Sequence, residues 1–202
     1  MFLEQAWAAV RQYVEPNPVV LDLCASPGGK STHLASLLPV GGLLIANEVI
    51  RPRAQVLAEN VAKWGTGNAV VTNSDPQVFG NLPGLFDVML VDAPCSGEGM
   101  FRKDPEAVRE WSEANVKLCA ERQRRILADA WPALKPGGFL VYSTCTYSPD
   151  ENEQILDWLA EQYGAEGQSI AIQPDWGVVP VGDRLPGYRF YPHRVAGEGL
   201  FM

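Results

Sequence analysis

Short apolar runs alternate with segments of helical period along the 202-residue chain, after an amphipathic stretch over residues 2–14. The apolar runs predict strands at 19–23, 43–47, 69–72, 86–91 and 139–142. The helical periods predict helices at 30–38, 52–64, 115–134 and 151–163, the third of them stopping at Lys135-Pro136-Gly137-Gly138. This alternation favours an α/β protein with a doubly wound, parallel sheet and helices on both of its faces.

Glycine and proline interrupt the helical pattern near the end of the chain. Apolar pieces at 188–191 and 200–202 predict two last strands that finish the sheet as an antiparallel hairpin. The expected fold is therefore Rossmann-like, with a mostly parallel seven-stranded sheet and a C-terminal antiparallel hairpin. We expect residues 1–202 to form a single catalytic domain.

Composition narrows the class of protein. The chain is 47% hydrophobic and 20% charged with a mean hydropathy of -0.07, which predicts a soluble globular protein without a membrane partner. Its formal net charge is -8, which argues against a generally basic protein that coats nucleic acid.

The four cysteines, at 24, 95, 119 and 145, contain no C-x-x-C pair and lack the spacings of zinc sites. We expect free thiols in a cytoplasmic protein, and no metal. Cys119 falls in the apolar pattern of a predicted helix, so we expect it in the core.

Candidate chemistry follows the predicted strands. In a doubly wound sheet, ligands bind beyond the carboxyl ends of the strands. The segments at those ends are 22–30, 47–48, 73–75, 92–97 and 143–146. They bring carboxylates, two glycine-rich turns and three of the four cysteines toward one edge of the sheet.

The first turn allows two interpretations. Gly29-Lys30-Ser31 ends like a phosphate-binding loop, and Val88-Met-Leu-Val-Asp92 is similar to the strand that precedes a magnesium-binding aspartate. The phosphate-loop spacing, however, requires glycine where this chain has Cys24, and Pro27 lacks an amide donor. A nucleotide hydrolase is therefore the weaker alternative.

The acids at the ends of the predicted strands suit a nucleoside cofactor without a triphosphate better than a nucleoside triphosphate. Glu48 ends the second predicted strand, where an acid binds ribose hydroxyls, and Asp75 ends the third, where it could accept from an adenine amine. This set favours S-adenosylmethionine. The simpler alternative is that Glu48 and Asp75 cap helices or turns.

Four longer segments resemble a known family. They read D-L-C-A-S-P-G-G-K, D-A-P-C-S-G-E-G-M-F-R-K-D-P, Y-S-T-C-T-Y-S-P-D-E-N-E and Y-P-H-R-V-A-G-E-G-L-F-M. The chain resembles the RNA 5-methylcytosine methyltransferases of the NOL1/NOP2/Sun family, most closely the bacterial 16S ribosomal RNA methyltransferase F group. The resemblance implies an S-adenosylmethionine-dependent methyltransferase fold, with RNA as the substrate. It assigns to the cofactor pocket Cys24, Ala25, Ser26, Pro27, Gly28, Gly29, Lys30, Glu48, Asp75 and Asp92.

Methylation of cytosine at carbon 5 needs a thiolate that adds to carbon 6. Cys95 and Cys145 both follow predicted strands, so either could supply it. A likeness to DNA cytosine methyltransferases, whose nucleophile follows a proline, favours Cys95. The resemblance to the RNA family assigns the nucleophile to Cys145 and product release to Cys95, with Asp92 at the cytosine edge. Lys30 either assists Asp92 or a thiol, or is simply solvated.

Charge is unevenly distributed along the chain. Residues 150–175 hold seven acids and no lysine or arginine, whereas residues 102–135 hold eight bases against six acids. The basic segment predicts a strip that follows RNA phosphates, although a solvated helix face explains it equally well. Family members usually carry further RNA-recognising segments, which we expect to be absent here. A catalytically silent cofactor-binding module is the third alternative.

Overall fold

The computed structural model describes all 202 residues, and these group into two compact units. The first unit holds Met1–Asp92 with Ile126–Tyr142, and the second holds Ala93–Arg125 with Ser143–Met202. The helices are α1 Leu3–Val10, α2 Gly29–Leu37, α3 Arg51–Trp64, α4 Pro76–Phe79, α5 Pro105–Glu110, α6 Glu113–Ala130 and α7 Glu153–Tyr163. The strands are β1 Val19–Asp22, β2 Leu43–Asn47, β3 Ala69–Thr72, β4 Phe86–Asp92, β5 Leu134–Ser143, β6 Val179–Val181, β7 Gly187–Phe190 and β8 Leu200–Phe201.

A five-stranded sheet in the order β3-β2-β1-β4-β5 forms the centre of the first unit. β1 pairs in parallel with β2 on one side and with β4 on the other, and β2 pairs in parallel with β3. The strand order therefore reverses between β1 and β4, and this is where doubly wound sheets bind ligands. Asp22 and Asp92 are the last residues of these two strands.

The burial of the central strands follows from their apolar sequence. Six of the seven residues of β4 are buried, and Leu21 in β1 and Leu44 in β2 have no exposed surface. Strands covered on both faces have near-continuous apolar sequences of this kind. The α3 helix ends at Trp64 and is followed by Gly65, whose φ of 79° is a left-handed conformation that glycine adopts at low cost.

Asp87 is the buried aspartate near the start of the apolar β4 strand, and it is 5% exposed. Its carboxylate accepts a 2.8 Å hydrogen bond from the Val19 amide. It also forms an ion pair with Lys135, whose Nζ lies 2.6 Å away. These contacts tie the start of β1 and the start of β5 to β4. They also provide the partners that a buried carboxylate requires.

The second unit contains a three-stranded antiparallel sheet in the order β6-β7-β8. In its register Arg189 of β7 lies opposite Phe201 of β8. Phe201 also makes an antiparallel bridge with Thr144, just beyond the end of β5. Arg189 is 5% exposed and pairs with Glu153 of α7, while its guanidinium lies 5.6 Å from the centre of the Phe201 ring.

The expected α/β class, the parallel sheet and the antiparallel C-terminal strands are confirmed. The expected single sheet of seven strands is corrected to separate sheets of five and three strands. The physical reason is that β8 is two residues long and meets the chain after β5 at one bridge, too few pairings to extend the large sheet.

The expected end of the long helix is also corrected. The α6 helix ends at Ala130, because Pro132 in the following turn cannot donate a helical hydrogen bond. Lys135-Pro136-Gly137-Gly138 lies within β5 instead of stopping a helix. A Cβ on Gly138 would lie 3.0 Å from the Asp87 carbonyl oxygen, so the glycine there permits close approach of two backbones.

Sequence patterns missed the short elements α4, α5 and β6. Asp75 and Asp104 start α4 and α5, each accepting a 3.0 Å bond from the amide two residues later. None of the helices combines the length and the hydropathy that a membrane span requires. The expectation of a single catalytic domain stays a prediction.

Replacing Asp87 with alanine tests how far its contacts stabilise the first unit. Asp87→Ala leaves the Val19 amide and the Lys135 ammonium without their acceptor, so we expect a loss of about 2–4 kcal/mol in unfolding free energy. Val40 is fully exposed, and Val40→Thr should change stability by less than about 0.5 kcal/mol. Urea denaturation of both variants measures the difference. Equal stabilities would contradict this account of β4.

Candidate functional site

The turn between β1 and α2 is built on two glycines. Gly28 precedes the helix with a φ of 110°, and its carbonyl accepts a 2.8 Å bond from the Thr32 hydroxyl. A Cβ on Gly28 would lie 3.1 Å from Leu57 Cδ1, so this position needs glycine for both backbone conformation and packing. A Cβ on Gly29 would meet nothing within 4 Å. The turn therefore leaves open space at the start of α2.

The rest of the turn is anchored to neighbouring elements of the first unit. The Ala25 amide donates to the Asn47 carbonyl at 2.8 Å, and the Ser26 hydroxyl donates to the Arg53 carbonyl at 3.0 Å. The Pro27 carbonyl accepts a 2.7 Å bond from the side-chain amide of Asn60. These bonds fix the turn against β2 and α3.

Lys30 and Asp92 form an ion pair, with Nζ 2.7 Å from Oδ2. The two side chains are 25% and 32% exposed, respectively. Asp92 ends β4 and Lys30 lies in the first turn of α2, so the pair spans the point at which the strand order reverses. Lys30 is thus a partner of Asp92 and not simply a solvated lysine.

Asp22 is the residue of this edge to which the sequence assigned no role. It is fully buried, and its Oδ2 accepts a 2.6 Å bond from the Ser31 hydroxyl while Oδ1 has no protein partner. Burial raises the pKa of the Asp22 carboxyl to about 7, with the nearby Asp92 adding to the rise and the Ser31 bond opposing it. Its position at the carboxyl end of β1 is the signal that could have identified it.

Glu48 and Asp75 each have a local structural role. Glu48 Oε1 accepts a 2.9 Å bond from the Ile50 amide, and Oε2 lies 3.5 Å from Arg53. Asp75 accepts from the Gln77 amide at 3.0 Å and caps α4. Both acids therefore perform the capping and turn functions of the simpler alternative. A carboxylate oxygen accepts more than one hydrogen bond, so these contacts leave room for a ligand.

Cys24 follows β1 and lies among acids. Burial raises the pKa of its thiol, and the negative charges of Asp22, Glu48 and Asp92 raise it further. Cys24 therefore stays a neutral thiol, unsuited to nucleophilic attack. It contributes an uncharged, polarisable wall to this part of the first unit.

The polar groups at this edge fit a cationic nucleoside better than a triphosphate. Carboxylates accept from hydroxyl and amine groups and attract a positive charge, and Asp22 Oδ1 is a buried acceptor that still lacks a donor. A triphosphate would instead be repelled by the acids, and Lys30 is already paired with Asp92. These residues therefore fit S-adenosylmethionine, which carries a sulfonium, an amine and ribose hydroxyls.

The second unit brings Cys95 and Cys145 together, although fifty residues separate them in the chain. Their Sγ atoms lie 3.1 Å apart, and the Cys145 amide donates to Cys95 Sγ at 3.3 Å. The hydrogen bond to Cys145 raises the pKa of the Cys95 thiol, and burial raises it further. The backbone amides of Cys145 and Gly97 oppose this rise. Cys119, in contrast, is buried on α6 as expected.

Two glutamates beside the cysteines were also missed by sequence reasoning. Glu98 accepts from the Tyr147 amide at 2.8 Å and from the Trp111 indole at 3.0 Å. Glu151 is fully buried, and it accepts from the Ser96 amide at 3.0 Å. Both acids lie within the segments that carry the family resemblance, which was the signal available in the sequence.

Comparison with known proteins identifies the family. The sequence profile described as 16S rRNA methyltransferase RsmB/F matches residues 12–202. The chain belongs to the RsmB/F family. The resemblance to RNA methyltransferases is thereby confirmed at the family level.

Individual RsmB/F relatives are considerably longer than this chain. The ribosomal RNA small subunit methyltransferase F of Serratia proteamaculans is 44% identical over 194 residues, covering 91% of this chain and 39% of the relative. Its counterpart in Vibrio parahaemolyticus is 47% identical over 151 residues, covering 74% and 32%, respectively. The chain thus spans about two-fifths or less of the length of these relatives.

A solved structure of NSun6 from Pyrococcus horikoshii with SFG, an analogue of S-adenosylmethionine, is similar in fold. The TM-score is 0.81 at 32% identity, and the match covers 98% of this chain and 50% of that protein. The expected methyltransferase fold is therefore confirmed.

Asp22 should make the stability of the protein depend on pH. Its folded pKa of about 7 exceeds the ordinary value of 3.8, so its stabilising contribution is complete below 3.8 and is lost as the pH rises through 7. The expected loss is at most about 4 kcal/mol. Asp22→Asn should flatten this slope and be more stable than wild type at about pH 8.

Urea denaturation between about pH 4 and pH 8 measures the slope. Glu59→Gln, which changes an exposed carboxylate on α3, is the matched control and should keep the wild-type slope. Parallel slopes for wild type and Asp22→Asn would contradict the raised pKa.

Proposed function

We propose that this chain methylates carbon 5 of a cytosine in ribosomal RNA, using S-adenosylmethionine and a covalent link between Cys145 and the base. The observation that carries the proposal is the contact between two thiols, 3.1 Å apart, in a chain of the RsmB/F family. A reaction that forms and then breaks a thioether needs one thiol to attack and benefits from a second to assist release.

The cofactor would be held at the carboxyl edge of the five-stranded sheet. When bound, S-adenosylmethionine supplies an electrophilic methyl group. Glu48 would accept from the ribose hydroxyls and Asp75 from the adenine amine, with Asp22 Oδ1 as a further buried acceptor. The turn over residues 24–30 would lie against the cofactor, with Gly28 and Gly29 allowing close approach of the backbone.

Cys145 is proposed as the nucleophile because the resemblance to the RNA methyltransferases assigns that role to the cysteine of the T-C-T motif. A hydrogen bond to Cys145 raises the pKa of the Cys95 thiol, and Cys95 is proposed as the proton donor 3.1 Å from the Cys145 sulfur. A thiolate that accepts such a bond is stabilised, and the thiolate is the reactive form of cysteine. The same bond leaves Cys95 with a proton that could assist release of Cys145 from the product.

The proposed reaction proceeds by addition of the thiolate, methyl transfer and elimination of the thiolate. The Cys145 thiolate adds to carbon 6 of cytosine, and the displaced electron pair makes carbon 5 nucleophilic. Carbon 5 would then form its bond to the methyl group while the bond between that methyl group and the cofactor sulfur breaks, and the electron pair of the broken bond would stay on the sulfur of the departing thioether product. A base removes the remaining proton from carbon 5, and the returning electron pair breaks the bond between carbon 6 and sulfur.

Asp92 is proposed to bind the edge of the cytosine and assist its protonation during attack by the thiolate. Lys30 is proposed to position Asp92, since its ammonium lies 2.7 Å from the carboxylate. This contact restrains the Asp92 side chain at the end of β4. Lys30 would thus act through Asp92 and not on the base directly.

The proposed substrate requires an accessible cytosine and a surface that tolerates phosphate. A base inside a helix cannot reach a thiol, so a loop or an opened segment of ribosomal RNA is the proposed target. Exposed basic residues of the second unit would contact its backbone: Arg102, Lys103, Arg122 and Arg125. A ribosomal substrate would place the protein in the cytoplasm.

The cysteine roles predict opposite results for two variants. Cys145→Ala should abolish methyl transfer and covalent linkage, because it removes the nucleophile. Cys95→Ala should accumulate a covalent protein–RNA complex, because it removes the thiol that assists release. Incubation with 16S ribosomal RNA and S-adenosylmethionine, followed by a denaturing gel, separates the linked from the free protein.

Cys119→Ala is the matched control, since it truncates a buried thiol that has no proposed role in the reaction. It should retain activity within about threefold of wild type. A complex that persists in Cys145→Ala would reverse the two roles. Mass-spectrometric mapping of 5-methylcytosine in the reacted RNA tests the activity itself, and methylation at any other atom would refute the proposal.

A further inference from the structure

Four side-chain oxygens form a continuous chain through the second unit. Thr146 Oγ1 lies 3.0 Å from Glu98 Oε2 and 3.0 Å from Ser96 Oγ, and Ser96 Oγ lies 2.5 Å from Glu151 Oε1. Ser96 directly follows Cys95, and Thr146 directly follows Cys145. The chain therefore links the two cysteine loops through a pair of acids.

The number of protons needed by this chain of oxygens indicates whether both acids are ionised. Three oxygen–oxygen contacts at hydrogen-bond distance need three protons, but the Ser96 and Thr146 hydroxyls supply only one each. If both acids were ionised, each hydroxyl would donate to its own carboxylate, and the Ser96 and Thr146 oxygens would face each other without a proton. One of the carboxyl groups must therefore supply the third.

The other contacts of the acids indicate which one holds the proton. Glu98 accepts from the Tyr147 amide and the Thr146 hydroxyl at Oε2, and from the Trp111 indole at Oε1, which suits a carboxylate. Glu151 accepts from the Ser96 amide and from Gln123 at Oε2, whereas the short contact to the Ser96 hydroxyl is at Oε1. A protonated Oε1 fits that division between the two oxygens.

We propose that Glu151 is a neutral carboxylic acid whose proton completes the chain from Glu151 through Ser96 and Thr146 to Glu98. Glu151 Oε1 then donates to Ser96, Ser96 to Thr146, and Thr146 to the Glu98 carboxylate. Each hydroxyl donates once, and every contact in the chain holds one proton.

The surroundings of Glu151 support the neutral form. Burial raises the pKa of the Glu151 carboxyl, and the negative charge of Glu98 raises it further, against the hydrogen bonds from Ser96 and Gln123. On α6, burial and a negative charge on Glu151 raise the pKa of the Cys119 thiol, while Arg122 lowers it. Like charges on Glu98 and Glu151 at the two ends of one chain would repel each other.

This arrangement makes Glu151 a positioning residue for the two thiols, an inference that rests on the proposed function. The chain fixes the residue after each cysteine, while the thiols themselves lie 3.1 Å apart. Loss of the Glu151 proton removes the bond between Ser96 and Thr146. The loops would then separate, and Cys95 would no longer donate to Cys145.

Two conservative substitutions distinguish a neutral Glu151 from an ionised one. In Glu151→Gln, the amide donates to Ser96 and the carbonyl accepts from the Ser96 amide and Gln123, so all bonds are kept. In Glu98→Gln, one amide group must face a donor. Glu151→Gln should therefore retain kcat within about threefold, whereas Glu98→Gln should lose about tenfold or more.

The pH dependence of the activity distinguishes this positioning role from a purely structural one. Wild-type activity should fall as the pH rises through the pKa of Glu151, because loss of that proton removes the bond between Ser96 and Thr146. Glu151→Gln has no carboxyl proton to lose, so its pH profile should lack this fall. A fall of the same midpoint in both proteins would overturn the proposal.

A test independent of catalysis separates this inference from the proposed function. The carboxyl carbon of Glu151, observed by NMR with isotope-labelled glutamate and assigned by its absence in Glu151→Gln, reports protonation in the intact chain. A protonated signal at neutral pH supports the proposal even if no RNA is methylated. An ionised signal at neutral pH refutes it, whether or not the enzyme is active.

Discussion

Buried carboxyl groups at the ends of strands and loops organise this protein. A carboxyl removed from water needs partners or a proton. Asp87 obtains partners, an amide and a lysine, and holds the strands of the large sheet in place. Asp22 and Glu151 are fully buried with raised pKa values. Whether a buried carboxyl group has partners or holds a proton therefore decides whether its role is structural or whether it is available for chemistry.

The two units use this constraint differently. In the first, acids follow the strands at the point where the strand order reverses, and they surround a glycine-rich turn. That edge is negative and polar, which favours a cationic nucleoside. In the second, two acids act through hydroxyl groups on the loops that carry Cys95 and Cys145. There the acids orient other groups, and the sulfur atoms are proposed to react.

The thiol pair illustrates how a short contact creates different roles for the same residue type. Both cysteines follow strands in the sequence, and only the resemblance to the RNA family assigns them different roles. Once the sulfur atoms lie 3.1 Å apart, one proton shared between them makes the two thiols unequal, and Cys95 is proposed to be the thiol that keeps it. A reaction that needs one thiolate and one proton donor can then use two cysteines.

The sequence by itself determined the strands of the large sheet, most helix positions and the family, because apolar periodicity and long motifs are local properties. It misplaced the end of α6 and merged two sheets, because Lys135-Pro136-Gly137-Gly138 has the composition of a helix stop and its pairing within β5 depends on distant strands. Tertiary structure alone decided that Glu48 and Asp75 also cap local structure, that Asp22 is buried, and that Glu98 and Glu151 meet through Ser96 and Thr146. Those outcomes depend on burial and on contacts between residues far apart in the chain, and no local pattern records them.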